Sequence, residues 1–179
     1  MLYAKLNIDY LKEIQQDVLN LLPDDFLQNT KLGYVLDQSY TTNYIKSLSS
    51  IKRLIDSLGR SIDDISICAF TVCLPKQGLP IHIDKGFYKL SLNIPITDTT
   101  DTSVNFYKLT APPSVVNNGK NKYFSFDEFN TAIIETAVTD RPCIIDTTVP
   151  HKVVNNTDRI RVMLLIRFNP NIKFEDIKL

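Results

Sequence analysis

A mainly β domain preceded by helices is the fold class this sequence predicts, and three observations predict it. Up to about residue 64, apolar residues recur at helical spacing, whereas beyond Asp63 and Asp64 the chain breaks into short apolar or alternating runs. A length of 179 residues suits one domain, and 44% hydrophobic residues can fill a sizeable core. Helices first and many short strands after fit a β-sandwich or barrel buttressed by helices on one face (α+β). The expected division is a helical support over 1–64, a β core over 65–168 and a C-terminal tail over 169–179.

Taken in order, Asp9 is placed to cap a helix running to about Leu22, with Leu11, Ile14, Val18 and Leu21 at helical spacing and Pro23 beyond. A second helix is predicted over about 43–58. Its stripe is Ile45, Leu48, Ile51, Leu54, Ile55 and Leu58, and Gly59 stops it. Both stripes read as core-facing. The predicted strands are Ile65–Leu74, Ile81–Asp84, Lys89–Ile96, Val104–Lys108, Cys143–Asp146, Lys152–Val154 and Arg159–Phe168. Residues 110–122, with Pro112, Pro113, Asn117, Asn118 and Gly119, read as a long loop, and 127–138 fits helix and strand equally. No internal repeat or long low-complexity segment interrupts the pattern.

Twenty basic and twenty acidic residues leave no electrostatic footprint for nucleic acid or an anionic membrane. The amino terminus carries charge too early for a secretory apolar core, and no apolar run approaches membrane-spanning length, so a cytoplasmic protein without a membrane partner is expected. Cys68, Cys73 and Cys143 lie in apolar runs without metal-finger spacing, which predicts reduced, buried thiols.

Chemistry concentrates in the only two histidines. His82 opens His82-Ile83-Asp84, and His151 follows in Val149-Pro150-His151. Two imidazoles and one carboxylate on one face of a metal make the facial triad of non-haem Fe(II) oxygenases. With 16 Asp in the chain, a fortuitous His-x-Asp would arise about one time in six, so the motif alone is weak and its surroundings must support it. Asp84 and His82, at i and i+2, share a side of an extended segment. In Arg159–Phe168 the even positions are all apolar, while Arg159, Arg161, Met163, Leu165 and Arg167 fall on the other face. Asn155-Asn156-Thr157-Asp158 reads as a turn before it. A hairpin centred near Asn156 would set His151 opposite Arg161, Cβ atoms about 5 Å apart. Arg161 could then hold a carboxylate beside a His-bound metal, with Arg159 as its competitor.

These residues resemble the Fe(II)/2-oxoglutarate-dependent dioxygenase superfamily, whose double-stranded β-helix (jelly-roll, cupin-like) carries His-x-Asp…His and a downstream Arg or Lys. The ten-residue interval from His151 to Arg161, with Asp146-Thr147-Thr148-Val149-Pro150-His151, is most similar to the aspartyl/asparaginyl β-hydroxylase branch. The resemblance covers about residues 65–168. Some members of that branch lack the metal-binding carboxylate that Asp84 supplies here. It implies His82, Asp84 and His151 as ligands of Fe(II), and Arg161 as anchor of the 2-oxoglutarate carboxylate, with O2 as the second cosubstrate. Ser91 and Asn93, on the polar side of Lys89–Ile96, would bond the cosubstrate if they point into the barrel, or face water if they do not. The implied reaction oxidises a substrate C–H bond and releases succinate and CO2.

Phe87, Tyr88 and Tyr107 are candidates for a substrate pocket or for core, Lys85-Gly86 for the start of a lid. Loops Lys76–Pro80, Lys85–Tyr88 and 110–122 would supply recognition, which favours a small molecule, amino acid or short peptide over nucleic acid. Arg161-x5-Arg167 resembles the nucleic-acid demethylase branch, against which the neutral charge and short His-to-Arg interval count. Two other classes stay open: a cupin-like metalloenzyme with no need of 2-oxoglutarate, and a non-catalytic binding or structural protein on the same scaffold.

Overall fold

The computed structural model describes residues 1–22, 26, 38–84, 88–112, 114–117, 122–126 and 130–179. The elements are β1 (Tyr3–Lys5), α1 (Leu11–Leu19), α2 (Gln38–Ser47), α3 (Ser49–Ser57), β2 (Ile65–Cys73), β3 (Leu90–Pro95), β4 (Thr102–Leu109), β5 (Ser114–Asn117), β6 (Lys122–Ser125), β7 (Thr131–Val138), β8 (Cys143–Asp146), β9 (His151–Asn155) and β10 (Arg161–Phe168). The protein is mostly β, with antiparallel sheets in a cupin-like sandwich. One sheet has the order β1-β8-β3-β10-β2, a second the order β7-β4-β9, and β5-β6 form a separate hairpin. The His82 segment extends the second sheet, because Gly78 pairs with Val154 and His82 with His151, both antiparallel.

Strict alternation explains how the first sheet is covered on both sides. On β10 the even residues Val162, Leu164, Ile166 and Phe168 join Phe70, Val72, Leu92 and Ile94 in one core with Ile14 and Val18 of α1 and Ile51, Leu54 and Ile55 of α3. The side chains of β3 are buried along its whole length, as expected for a strand sandwiched between two layers. On the other face Cys73, Cys143 and Ile145 pack against Val104, Phe106, Ala137 and Val153 of the second sheet. Phe106 is fully buried there, and truncating such a residue to Ala costs about 3–5 kcal/mol.

Several elements differ from their sequence reading. Asp9 does not cap α1; Tyr10 holds the cap position without a side-chain hydrogen bond. The 43–58 helix is two helices, broken where Leu48 turns extended (ψ 129°). The apolar stripe continues across that break, so periodicity could not reveal it. Gly59 does end α3, in the left-handed region at φ +68°. The 110–122 segment, read as a long loop, contains β5 and the start of β6, while residues 113 and 118–121 lie outside the described residues. Of the segment 127–138, Thr131–Val138 is strand β7, and 127–129 lie outside the described residues. Residues 169–179 are tied down by buried Ile172 and Ile177, and by Lys178 N–H donating to the Leu58 carbonyl at 3.0 Å. All three cysteines are free and buried, as expected.

The predicted hairpin between the His151 and Arg161 strands is absent. β9 pairs with β4 in the second sheet, whereas β10 pairs with β2 and β3 in the first. Asn155 makes the crossing: its amide donates to the carbonyls of Cys73, Leu74 and Arg159 at 3.2, 3.0 and 2.8 Å. The turn falls where the sequence predicts it, but it carries the chain from one sheet to the other instead of reversing it within one.

Candidate metal centre

His82 and His151 meet as a hydrogen-bonded backbone pair, His82 N–H to His151 carbonyl at 2.9 Å and the reverse at 2.8 Å. Their rings approach to 4.4 Å between centroids. Gly78 permits the approach, because a Cβ there would collide with the Val153 carbonyl oxygen. Each imidazole is oriented in the same way. His82 Nδ1 lies 2.8 Å from the Pro80 carbonyl and His151 Nδ1 lies 2.9 Å from that of Val149. A carbonyl only accepts, so Nδ1 must carry the proton and donate, leaving each Nε2 lone pair free for a metal.

Asp84 completes the set. Its backbone N–H donates to Thr147 O at 3.2 Å, and Oδ1 stands 3.7 Å from His82 Nε2, outside hydrogen-bond range. One ligand atom from each of His82, Asp84 and His151 falls within 4.8 Å of the others. Two imidazoles and a carboxylate converging without their side chains bonding one another are a donor set suited to a divalent transition metal. Burial, then the neighbouring His82, push the His151 imidazole down to about 4, which keeps it in the neutral, metal-binding form at ordinary pH.

The triad opens into a cavity of about 200 Å3 between the sheets, lined also by Thr71, Leu79, Asn93, Arg161 and Arg167. Arg161 is only 1% exposed. Its Nε and Nη1 have no hydrogen-bond partner, and among the described residues no carboxylate forms an ion pair with it. Burial pushes its pKa below the ordinary value, opposed first by Cys73, its direct partner across the strand pair. Burying an unpaired charge costs several kcal/mol, and a bound anion would offset that cost. His151 and Arg161 thus share one cavity from opposite sheets, not one strand pair.

The other predicted residues separate. Ser91 and Asn93 are buried on the cavity side of β3, with Ser91 Oγ donating to Asn93 Oδ1 at 2.6 Å; only Asn93 reaches the cavity lining. Arg159 is no competitor, since it lies at the surface, paired with Asp98 at 3.0 Å. Tyr107 packs with Ile81 and Phe126, and neither it nor Tyr88 lines the cavity. Lys85, Gly86 and Phe87 lie outside the described residues. Within Lys76–Pro80, Gly78 pairs with Val154, and Leu79 donates its N–H to the Val153 carbonyl and lines the cavity, so this segment frames the site.

Sequence reasoning missed what Arg167 does: its Nη1 pairs with Asp84 Oδ2. Odd-position alternation put Arg167 on the right face, but its partner comes from a distant segment. A larger open groove of about 420 Å3, lined by Leu6, Asn7, Asp9, Asp140 and Arg141 among others, lies away from the triad. Its charged residues already have partners: Asp9 pairs with Arg53, Asp140 with Lys5 and Arg141, and Arg141 also donates to Asn7.

A scan against protein-family models found no match, and neither did a search of the curated proteins. Solved structures do match. The non-haem monooxygenase ThoJ in its apo form aligns with a TM-score of 0.53 at 12% identity, over 96% of this chain and 75% of that one. EvdO2 from Micromonospora carbonacea var. aurantiaca gives 0.53 at 12% identity, over 93% and 86%. AviO1 from Streptomyces viridochromogenes gives 0.52 at 13%, over 94% and 89%. The chain spans between 60% and 89% of the length of the first structures it matches. At such identities the likeness is one of fold.

Proposed function

We propose that the protein is an Fe(II)- and 2-oxoglutarate-dependent oxygenase that hydroxylates an amino acid, a peptide side chain or another small metabolite. The observation that carries this reading is the buried Arg161 guanidinium, without an acidic partner among the described residues, in the same small cavity as His82, Asp84 and His151. A guanidinium buried beside the triad suits an anionic group bound next to the metal, which the distal carboxylate of the cosubstrate would supply.

The strand pattern supports a double-stranded β-helix. Along the chain, β2, β3, β8 and β10 fall in the first sheet, and the His82 segment, β4, β7 and β9 in the second. A non-haem monooxygenase of the same fold adds support. The short His151-to-Arg161 interval keeps the aspartyl/asparaginyl β-hydroxylase branch as the nearest resemblance.

Bound iron would supply O2 activation, coupling decarboxylation of 2-oxoglutarate to succinate and CO2 with transfer of oxygen to a substrate C–H bond. The chain's own work is to present two Nε2 atoms and one carboxylate, to anchor an anion on Arg161, and to exclude water with Leu79, Ile145, Val153 and Leu165. Asn93, steadied by Ser91, is placed to bond the anion. No protein base is needed. Anaerobic addition of Fe(II) and then 2-oxoglutarate should produce the visible charge-transfer band of a keto-acid chelate, and admitting O2 should yield succinate. A metal complex that ignores 2-oxoglutarate would return the assignment to the cupin-like alternative.

A further inference from the structure

The ion pair between Arg167 and Asp84 divides the two oxygens of the carboxylate. Oδ2 is held by Arg167 Nη1, and Oδ1 is turned towards His82 Nε2, 3.7 Å away. Both side chains are well shielded, with exposures of 16% and 18%, so the pair is weakly screened. Arg167 is fixed in turn by β10, where it lies opposite Ser91 of β3. The register with β2 shifts between Arg167 and Phe168. Such a bulge re-aims side chains at the end of a ladder.

We propose that Arg167 is a positioning residue that makes Asp84 a one-oxygen ligand, keeping a metal position open for small molecules at the cost of weaker metal binding. The proposal rests on the metal-dependent reading above. A carboxylate relieved of its guanidinium could turn both oxygens to the metal and occupy one more position. The fixed positive charge of Arg167, one residue removed from the ligand set, also repels a divalent cation. Both effects act in one direction: removing the cation tightens the metal and closes the site. This runs against the usual expectation that losing a partner of a metal ligand weakens binding.

The test uses Mn(II) as the probe, with affinity measured by electron paramagnetic resonance and open positions by water-proton relaxation. Arg167→Gln should bind Mn(II) roughly tenfold more tightly and give lower relaxation enhancement, because fewer exchangeable waters remain. Arg167→Lys, which keeps a point charge near Oδ2, should restore the relaxation of the unaltered protein. Should the Gln variant fail to fold by thermal melting, Arg167→Met preserves the packed stem and carries the same expectation. Affinity that is unchanged or weaker, or relaxation equal to that of the unaltered protein, overturns the proposal and leaves the metal site standing. Absence of Mn(II) binding by the unaltered protein would overturn the metal-dependent reading first, and this proposal with it.

Discussion

At His151 the burial that frees Nε2 for a metal also makes the metal-free protein sensitive to acid. Its pKa falls from the ordinary 6.5 to about 4 in the folded state. Between those values the unfolded chain takes up a proton that the folded chain refuses, so this residue's contribution to stability is complete above pH 6.5 and is lost as pH falls towards 4. A shift of that size corresponds to about 3 kcal/mol. Urea unfolding of the metal-free protein should therefore show a loss across pH 6.5 to 4 that is much smaller in His151→Gln. Equal pH slopes in the two proteins would mean that the imidazole is not held neutral by the fold. The two arginines give a second contrast. Arg161 is buried and has no acidic partner among the described residues, whereas Arg159 is half-exposed and paired with Asp98. Arg161→Ala should weaken 2-oxoglutarate binding by about 2–5 kcal/mol, and Arg159→Ala should leave it nearly unchanged, as calorimetric titration of the metal-loaded protein would read.

Elements bring these residues together through sheet edges that pattern alone only partly reveals. The alternation along β10 was legible: it put Arg161 and Arg167 on one face and Val162, Leu164, Ile166 and Phe168 on the other, and the core follows that division. The partner of β10 was not legible, because the Asn155–Arg159 turn carries the chain between sheets and its residues would suit a hairpin equally. Likewise Ser91 and Asn93 could have faced water, until a second sheet covered them. The triad residues were legible because residue identity narrows the choice so far: only two histidines exist. The element that sets their approach is the Gly78–His82 edge. Gly78→Ala should push that edge off Val153, weakening the Leu79 N–H bond to the Val153 carbonyl (3.1 Å) and the His82–His151 pair. Overpacking of this kind costs about 1–3 kcal/mol. A lower melting temperature together with weakened Mn(II) binding is expected; a lower melting temperature with unchanged metal affinity would show that the edge does not set the site.

For the molecule as a whole, cavity size and charge limit which substrates the proposed function allows. About 200 Å3 lies between the triad and Arg161, less than the roughly 300–1,000 Å3 of pockets that engulf drug-sized ligands. Under the proposed function 2-oxoglutarate would share this space, so a primary substrate would be expected to insert a small group and keep the rest outside. Formal net charge is zero, from twenty basic and twenty acidic residues. Arg161 and Arg167 point into the cavity and do not form an outer basic stripe, so steep salt-dependent binding of a polyanion is not expected. Amino acids and short peptides match both constraints. Incubation of the protein with Fe(II), 2-oxoglutarate and O2, separately with amino-acid pools, peptide libraries and methylated oligonucleotides, should give substrate-stimulated succinate and a one-oxygen mass gain in the first two sets. Stimulation confined to oligonucleotides, with loss of methyl groups, would move the protein to the demethylase branch that the Arg161–Arg167 spacing resembles. It would also require the base to enter this cavity by an unstacked edge alone.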